Sequence, residues 1–384
     1  MLSVRFVPSE KDIPPELWER SFPPQLEGRW WYGVLEDSGL EDQFTFLYGV
    51  IEDDGRAVGV APMFVMSIEL DFLVPKALLP FLAWLGRMLP ALSAPRGLFI
   101  GSPCSDEGAV GVLPGVDRRA ALLALQRAVE AEAARRKAGL VVWKDFPESY
   151  DADLGWLAKE AGLFRMVGFP GTAFTVPDGT RDGYFAMFNA RGRNKLKKKL
   201  KKSREAFDAV VEVVSNPDDA TLDEVHALFR QTRAKAKTSF EELDRRFFAR
   251  VAREPVAHFL ILRERGTGKA VAFKLMFLLG DHLIDKYIGI DYSRPKDWFL
   301  FFRLMDEAID WGLAHGARSF QCGQTGYSGK LEQGYKLYPL SVYAKHRNAT
   351  FHRICAAVVS RIGWDTLDDD LSTYLRAHPE ARRG

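Results

Sequence analysis

Two stretches of the chain alternate apolar and polar positions in the same way at a fixed interval. Phe46–Met66 reads FLYGVIEDDGRAVGVAPMFVM, and Phe259–Leu279 reads FLILRERGTGKAVAFKLMFLL. A gapless offset of 213 residues lays Phe46 on Phe259, Leu47 on Leu260, Gly55 on Gly268, Ala57 on Ala270 and Val58 on Val271. Met63 then falls on Met276 and Phe64 on Phe277. Each stretch is two apolar runs joined by a polar turn that carries glycine, Asp53-Asp54-Gly55 or Gly266-Thr267-Gly268, and this predicts a β-hairpin in each. Beyond the first hairpin the period lengthens to that of a helix, from about Asp117 to Lys137, with Leu122, Leu125, Gln126 and Val129 in step. Gly139 and a strand at Leu140–Trp143 follow. Beyond the second come a strand at Leu283–Ile290, a helix from about Trp298 to Ala314, Gly316, and a strand at Ser319–Cys322.

Hairpin, helix and strand thus recur in one order, which predicts an α/β fold built of two tandem units. The boundary is expected near Gly168–Gly171, giving domains 1–168 and 169–345 and a C-terminal helical tail, 346–384, with a helix near Phe351–Ile362. The first domain is expected to carry an apolar insertion, residues 67–115, rich in Leu, Pro and Phe. The second adds a basic helix over Tyr184–Phe207 and two more at Leu222–Ala236 and Asp244–Ala252, with Asp218 or Asp219 as an N-cap.

The 384 residues are 47% hydrophobic and 27% charged, a globular balance that excludes disorder and low-complexity scaffolds for the whole chain. Basic and acidic residues number 53 and 51, so attraction to an anionic partner has to come from a local patch. Cys104, Cys322 and Cys355 are scattered and form no CxxC, which fits a reducing compartment and neither a disulfide framework nor a zinc knuckle. The first residues lack the apolar core of a signal peptide. The greasiest stretch, Phe72–Ile100, is broken so that only ten residues between Lys76 and Arg87 are free of charge, against the roughly 20 that a membrane span needs. The expectation is a cytoplasmic protein whose apolar insertion touches the inner face of a membrane.

The loudest local signal is Arg191–Arg204, RGRNKLKKKLKKSR, with nine basic residues and no acidic one in fourteen. Phe185, Phe188, Leu196, Leu200 and Phe207 fall near one face, so the charge forms the outer face of an amphipathic helix. It lacks the Glu partners of an ordinary surface helix, and an anionic partner is expected: a nucleotide, a lipid phosphate or an RNA backbone. Gly323–Gly334, GQTGYSGKLEQG, fails the spacing of a P-loop, and Leu331 stands where Ser or Thr is required. It reads as a glycine-rich turn beyond a strand end, where open α/β sheets place ligands, with Tyr327 and Lys330 on a mobile loop. The seven histidines form no HExxH or other metal-ligand pattern, and no metal is expected. There is no GxSxG elbow, and no GxGxxG in a strand-to-helix turn.

The second half resembles the FemAB-like predicted N-acyltransferases, a branch of the GNAT superfamily with two such folds in tandem. The resemblance is carried in order by YFAMFNARGRNKLKKKLKKSREA, LDEVHALFRQTRAKA, FFARV, FLILRERGTGKAVAFKLMF, KYIGIDY, FFRLMDEAIDWGLAHG and FQCGQTGYSGKLEQGYKLYP, over roughly Leu163–Pro339. It implies tandem GNAT-like domains, each a mixed, mostly antiparallel sheet flanked by helices. It also implies acyl transfer to an amino group of a cell-envelope precursor. In that arrangement Tyr327 protonates the leaving group, Lys330 stabilises negative charge or holds a phosphate, and Asp285 is the base or else half of an ion pair. Tyr287, Gly289, Arg294 and Lys296 border the donor, whose phosphates face the free N–H groups of the Trp298 helix. Arg193, Lys197 and Lys201 hold a nucleotide-linked or lipid-linked anionic substrate, or tRNA. Two departures leave the donor open between acyl-CoA and aminoacyl-tRNA: Ser328-Gly329 replace the Glu-His that often precedes the lysine, and Ser293–Asp297 replace the RxxGxG/A pyrophosphate loop. The rival expectation is a non-catalytic module of the same fold that binds RNA or anionic lipid through the basic helix.

Overall fold

The computed structural model describes residues 1–67, 96–235 and 240–379. Along the chain lie β1 (Leu2–Val7), α1 (Pro15–Ser21), α2 (Arg29–Glu36), β2 (Thr45–Asp53), β3 (Arg56–Ser67), β4 (Arg96–Ile100) and β5 (Gly111–Val112). Next come α3 (Arg118–Arg135), β6 (Leu140–Pro147), α4 (Asp151–Ala161), β7 (Phe164–Val167), β8 (Gly171–Thr175), α5 (Arg181–Ala186), α6 (Ala190–Ala206) and β9 (Ala209–Val214). They are followed by α7 (Asp219–Arg233), α8 (Arg245–Val251), β10 (Ala257–Glu264), β11 (Ala270–Leu279), β12 (His282–Ile290), α9 (Leu300–Ala314) and β13 (Ser319–Cys322). The last are α10 (Tyr327–Glu332), β14 (Lys336–Tyr338), β15 (Leu340–His346), α11 (Ala349–Val359), α12 (Trp364–Leu367) and α13 (Asp369–Ala377).

The chain forms two compact units: Met1–Pro23 with Leu40–Phe169 and Pro339–Gly384, and Pro24–Gly39 with Pro170–Tyr338. The sheet of the first runs β1-β2-β3-β4-β6-β15-β7, with β5 beside β3; that of the second runs β9-β10-β11-β12-β13-β8-β14. In both, the fourth and fifth strands of that order are parallel and every other neighbouring pair is antiparallel. The sheets therefore correspond strand for strand, and the two hairpins read from the repeat, β2–β3 and β10–β11, hold equivalent positions.

The domain limits differ from the expectation in two places: Pro24–Gly39 belongs to the second unit, and the chain from Pro339 on belongs to the first. Leu340–His346 is not the end of the second domain but a strand of the first sheet, between β6 and β7. β8, which follows β7 directly, pairs with β13 and β14 in the second, on the expected side of the boundary. Each sheet takes its penultimate strand from the segment that follows the other sheet's last one. A short apolar strand carries no mark of the sheet it will join, so local pattern could not show the return of β15 to the first sheet. Of the expected insertion, 68–95 lies outside the described residues; Arg96–Ile100 and Gly111–Val112 are sheet strands. Among the described residues no helix is long and apolar enough to cross a membrane.

Helix starts follow the capping residues. The side chains of Asp117, Asp218 and Asp244 accept from the backbone N–H groups of Ala120, Thr221 and Phe247. Capping also corrects the basic helix, which is two helices and not one. Asn189 is extended (φ −65°, ψ 163°), and its side chain accepts from Gly192 N at 2.8 Å, restarting the chain as α6. Leu196, Leu200 and Ser203 face inward from α6, Lys199 is partly buried, and the other lysines are exposed.

Candidate active site

Parallel strands β12 and β13 pair only from His282 with Ser319 to Asp285 with Cys322. β13 ends there while β12 runs on to Ile290, so the sheet opens as a wedge with Asp285 and Cys322 at its apex. A bulge sharpens the opening: Leu275 pairs with Tyr287 and Met276 with Asp285, leaving Lys286 as the extra residue. Lys286 is not loose, because its ammonium lies 2.7 Å from Glu27 Oε1 and 5.0 Å from the centre of the Trp31 ring.

At the apex three polar side chains meet inside the core. Lys274, fully buried on β11, donates to Asp285 Oδ2 at 2.7 Å, and the Tyr335 hydroxyl donates to the same oxygen at 3.0 Å. Met305 Sδ from α9 also touches the Lys274 ammonium. Asp285 Oδ1 is buried without a hydrogen-bond partner. Burial, reinforced by the Asp285 charge, holds the Tyr335 hydroxyl well above its ordinary value near 10, so it stays a neutral donor.

The first copy of the repeat lacks this cluster. The 213-residue offset places Ala61 opposite Lys274. Met276 pairs with Asp285 as Met63 pairs with Ile100, which places Ile100 opposite Asp285. Tyr335 precedes β14 as Leu163 precedes β7. The same topology therefore folds in the first unit with Ala61, Ile100 and Leu163, all buried. A buried ion pair is at best weakly stabilising relative to apolar residues of similar volume. The first unit thus folds with apolar residues where the second buries a charged cluster.

The residues singled out from sequence divide into groups. Asp285 sits at the apex, with Lys274 and Tyr335 as its partners. Tyr327 and Lys330 are on α10 and not on an open loop: Tyr327 is fully buried and donates to Pro170 O at 2.9 Å, and buried Lys330 donates to Gly323 O, so both hold the strand-end loop in place. Tyr287 packs edge-on to Phe229 and Phe247 and donates to Glu241 Oε1 at 2.9 Å. Gly289 admits α7: a Cβ there would lie 2.6 Å from the backbone of Leu228 and Phe229. Arg294 is paired with Asp291 at 3.2 Å and Glu264 at 3.4 Å, while Lys296 is exposed. Helix α9 begins at Leu300 and not Trp298, after Phe299 in the left-handed region (φ 46°), with no side chain capping its first turn. Lys197 and Lys201 are exposed on α6, and Arg193 is half-buried.

Sequence reasoning missed Lys274 and Tyr335. Lys274 did carry a signal: it is the one charge in the apolar strand AVAFKLMFLL. Tyr335 carried none, since it meets Asp285 across 50 residues of chain. Among the described residues no group of three or more His, Cys, Asp or Glu could hold a metal ion.

Comparison with known proteins adds a family and a fold. The family model FemAB-like, described as peptidoglycan biosynthesis/recognition, matches residues 169–367, just over half of the chain. No curated protein sequence matches. Among solved structures, FemX superposes with a TM-score of 0.57 at 12% identity, covering 84% of this chain and 93% of its own. L-PGS from Bacillus licheniformis gives 0.54 at 11%, covering 85% and 93%. A tandem GNAT protein from the clavulanic acid biosynthesis pathway gives 0.54 at 13%, covering 90% and 99%. At such identities the likeness speaks for the tandem fold alone.

Proposed function

The chain belongs to the FemAB-like family of GNAT-fold acyltransferases, and from that premise we propose that its second unit transfers an aminoacyl group from aminoacyl-tRNA to an amino group of a peptidoglycan precursor. The observation that carries the reading is the apex cluster, present in the second unit and replaced by Ala61, Ile100 and Leu163 in the first. Such a transfer forms a bond from the acceptor nitrogen to the acyl carbon and breaks the ester bond to the tRNA ribose. One proton leaves the amine and one is returned to the ribose oxygen.

In this reading the donor ester enters the wedge beyond Asp285, where β12 has no β13 partner. Asp285 holds the proton-accepting side of the site, fixed by Lys274, and Tyr335 is the neutral donor beside it. The buried ammonium of Lys274 fixes the orientation of the carboxylate through its 2.7 Å hydrogen bond. Tyr327 and Lys330 act indirectly, by fixing the Gly323–Gly326 loop that borders the wedge. The reaction then belongs in the cytoplasm, where charged tRNA is available.

The test is transfer of a radiolabelled amino acid from tRNA to a UDP-linked muropeptide by the purified full chain. The label is expected in the muropeptide, and Lys274→Met/Asp285→Leu should reduce its transfer by about a hundredfold or more. Acetyl-CoA should not replace the charged tRNA. Acetyl transfer without aminoacyl transfer, or full activity in the double variant, would overturn the reading.

A further inference from the structure

The basic residues of α6 point in different directions. Lys195 and Lys199 turn toward Glu332 on α10, at 3.4 and 2.6 Å. Lys197, Lys201 and Arg204 turn the other way, toward α5 and α9. There, with Arg181 and Asp310, they surround an open groove of about 410 Å³ whose apolar lining is Phe185 and Leu200. That is the size of a small-molecule cleft.

The donors in the groove are only partly paired. Asp306, almost fully buried, pairs with Arg181 and lies 2.7 Å from Arg204 Nη2, and Asp310 lies 3.1 Å from Arg181 Nε. Arg181 Nη1 is left without a partner. Lys197 has no carboxylate partner among the described residues; its ammonium stands 4.4 Å from the centre of the Phe185 ring. Lys201 has only Glu205, at 3.7 Å on the rim. Four cations meet four carboxylates, Asp306 and Asp310 on the wall and Glu205 and Glu307 on the rim, the last 3.9 Å from Arg204, so the donors left open toward the groove are the Lys197 ammonium and Arg181 Nη1. Lys197 and Lys201, one helical turn apart and both exposed, repel each other and cost stability unless an anion lies between them.

We propose that this groove binds a phosphate monoester, with the phosphate between Lys197 and Lys201 and its carbon substituent over Phe185 and Leu200. A monoester carries about −1.5 to −2 at neutral pH, enough to pair with the open donors of Lys197 and Arg181 together. A diester, as in an RNA backbone, carries about half of that and matches poorly. The groove stands apart from the transfer site: α9 offers Met305 to Lys274 on one side and Asp306 and Asp310 to the groove on another. The inference therefore does not depend on the transfer reading.

Calorimetric titration of the full chain with phenyl phosphate at low ionic strength tests it. Lys197→Ala and Lys201→Ala should each weaken binding by about tenfold, less at high salt. Asp310→Asn should tighten it about threefold by removing a like charge. A tighter variant cannot arise from loss of fold, and thermal melting checks the two lysine variants. Vesicles of phosphatidylcholine with one-fifth phosphatidic acid separate the sources. Capture by these but not by phosphatidylglycerol vesicles identifies a lipid headgroup, and phenyl phosphate binding without capture identifies a soluble ester; either supports the proposal. No binding of phenyl phosphate, binding indifferent to all three substitutions, or preference for an RNA oligonucleotide lacking terminal phosphates would overturn it.

Discussion

Removing one member of the Lys274–Asp285 pair should cost far more than removing both. In Asp285→Asn the Lys274 ammonium stays fully buried with its 2.7 Å partner neutralised, and Tyr335 loses a charged acceptor. Breaking a buried pair in this way costs about 3–5 kcal/mol. For a unit of this size, about 2–4 °C per kcal/mol turns that into a fall in melting temperature of roughly 6–20 °C. Lys274→Met should do the same from the other side. Lys274→Met/Asp285→Leu approaches the apolar solution already present at Ala61 and Ile100; the Tyr335 hydroxyl still loses its acceptor, so the double variant should lie within about 2 kcal/mol of the parent and above either single one. The coupling energy between the two sites would then exceed about 3 kcal/mol. Thermal and urea unfolding of the four proteins measure it, and the tRNA-dependent assay on the same samples should find the stable double variant inactive. If the double variant is as unstable as either single one, the charges are needed to fold and the argument from the repeat fails. If it is stable and fully active, the apex is not where the chemistry occurs.

Gly289→Ala should destabilise the second unit by about 1–3 kcal/mol, because the new Cβ would lie 2.3 Å from the Phe273 ring and 2.6 Å from the backbone of α7; a melting curve shows it. A chain ending at Tyr338 lacks β15, so β6 and β7 lose their shared partner and limited proteolysis should degrade the first unit while sparing the second. Stability should fall on acidification. Burial, with the His315 charge adding, lowers the pKa of His258 below its ordinary value near 6.5. The unfolded chain then takes up the proton first, so His258 contributes fully above about pH 6.5 and the contribution is lost as pH falls through the folded-state value. Melting between neutral and mildly acidic pH should decline less steeply in His258→Gln, the residual slope belonging to groups such as His226 and His346.

Whatever depends on spacing along the chain was legible in the sequence. The two hairpins, the strand Ser319–Cys322, the helices that start after Asp117 and Asp218, and the repeat itself rest on local periodicity and capping chemistry, which act over a few residues. The inward face of α6 was equally readable from Leu196 and Leu200. What the sequence could not decide depends on segments meeting across long distances. It could not say that β15 joins the first unit's sheet, because an apolar strand fits any matching edge. It placed Tyr327 and Lys330 in the open because glycines surround them, whereas packing turned Tyr327 inward onto Pro170. It offered Asp285 as a base but not Tyr335, 50 residues away, as its partner. The sequence determined two copies of one scaffold, and only tertiary packing brought Lys274, Asp285 and Tyr335 together in the core of one where the other buries Ala61, Ile100 and Leu163.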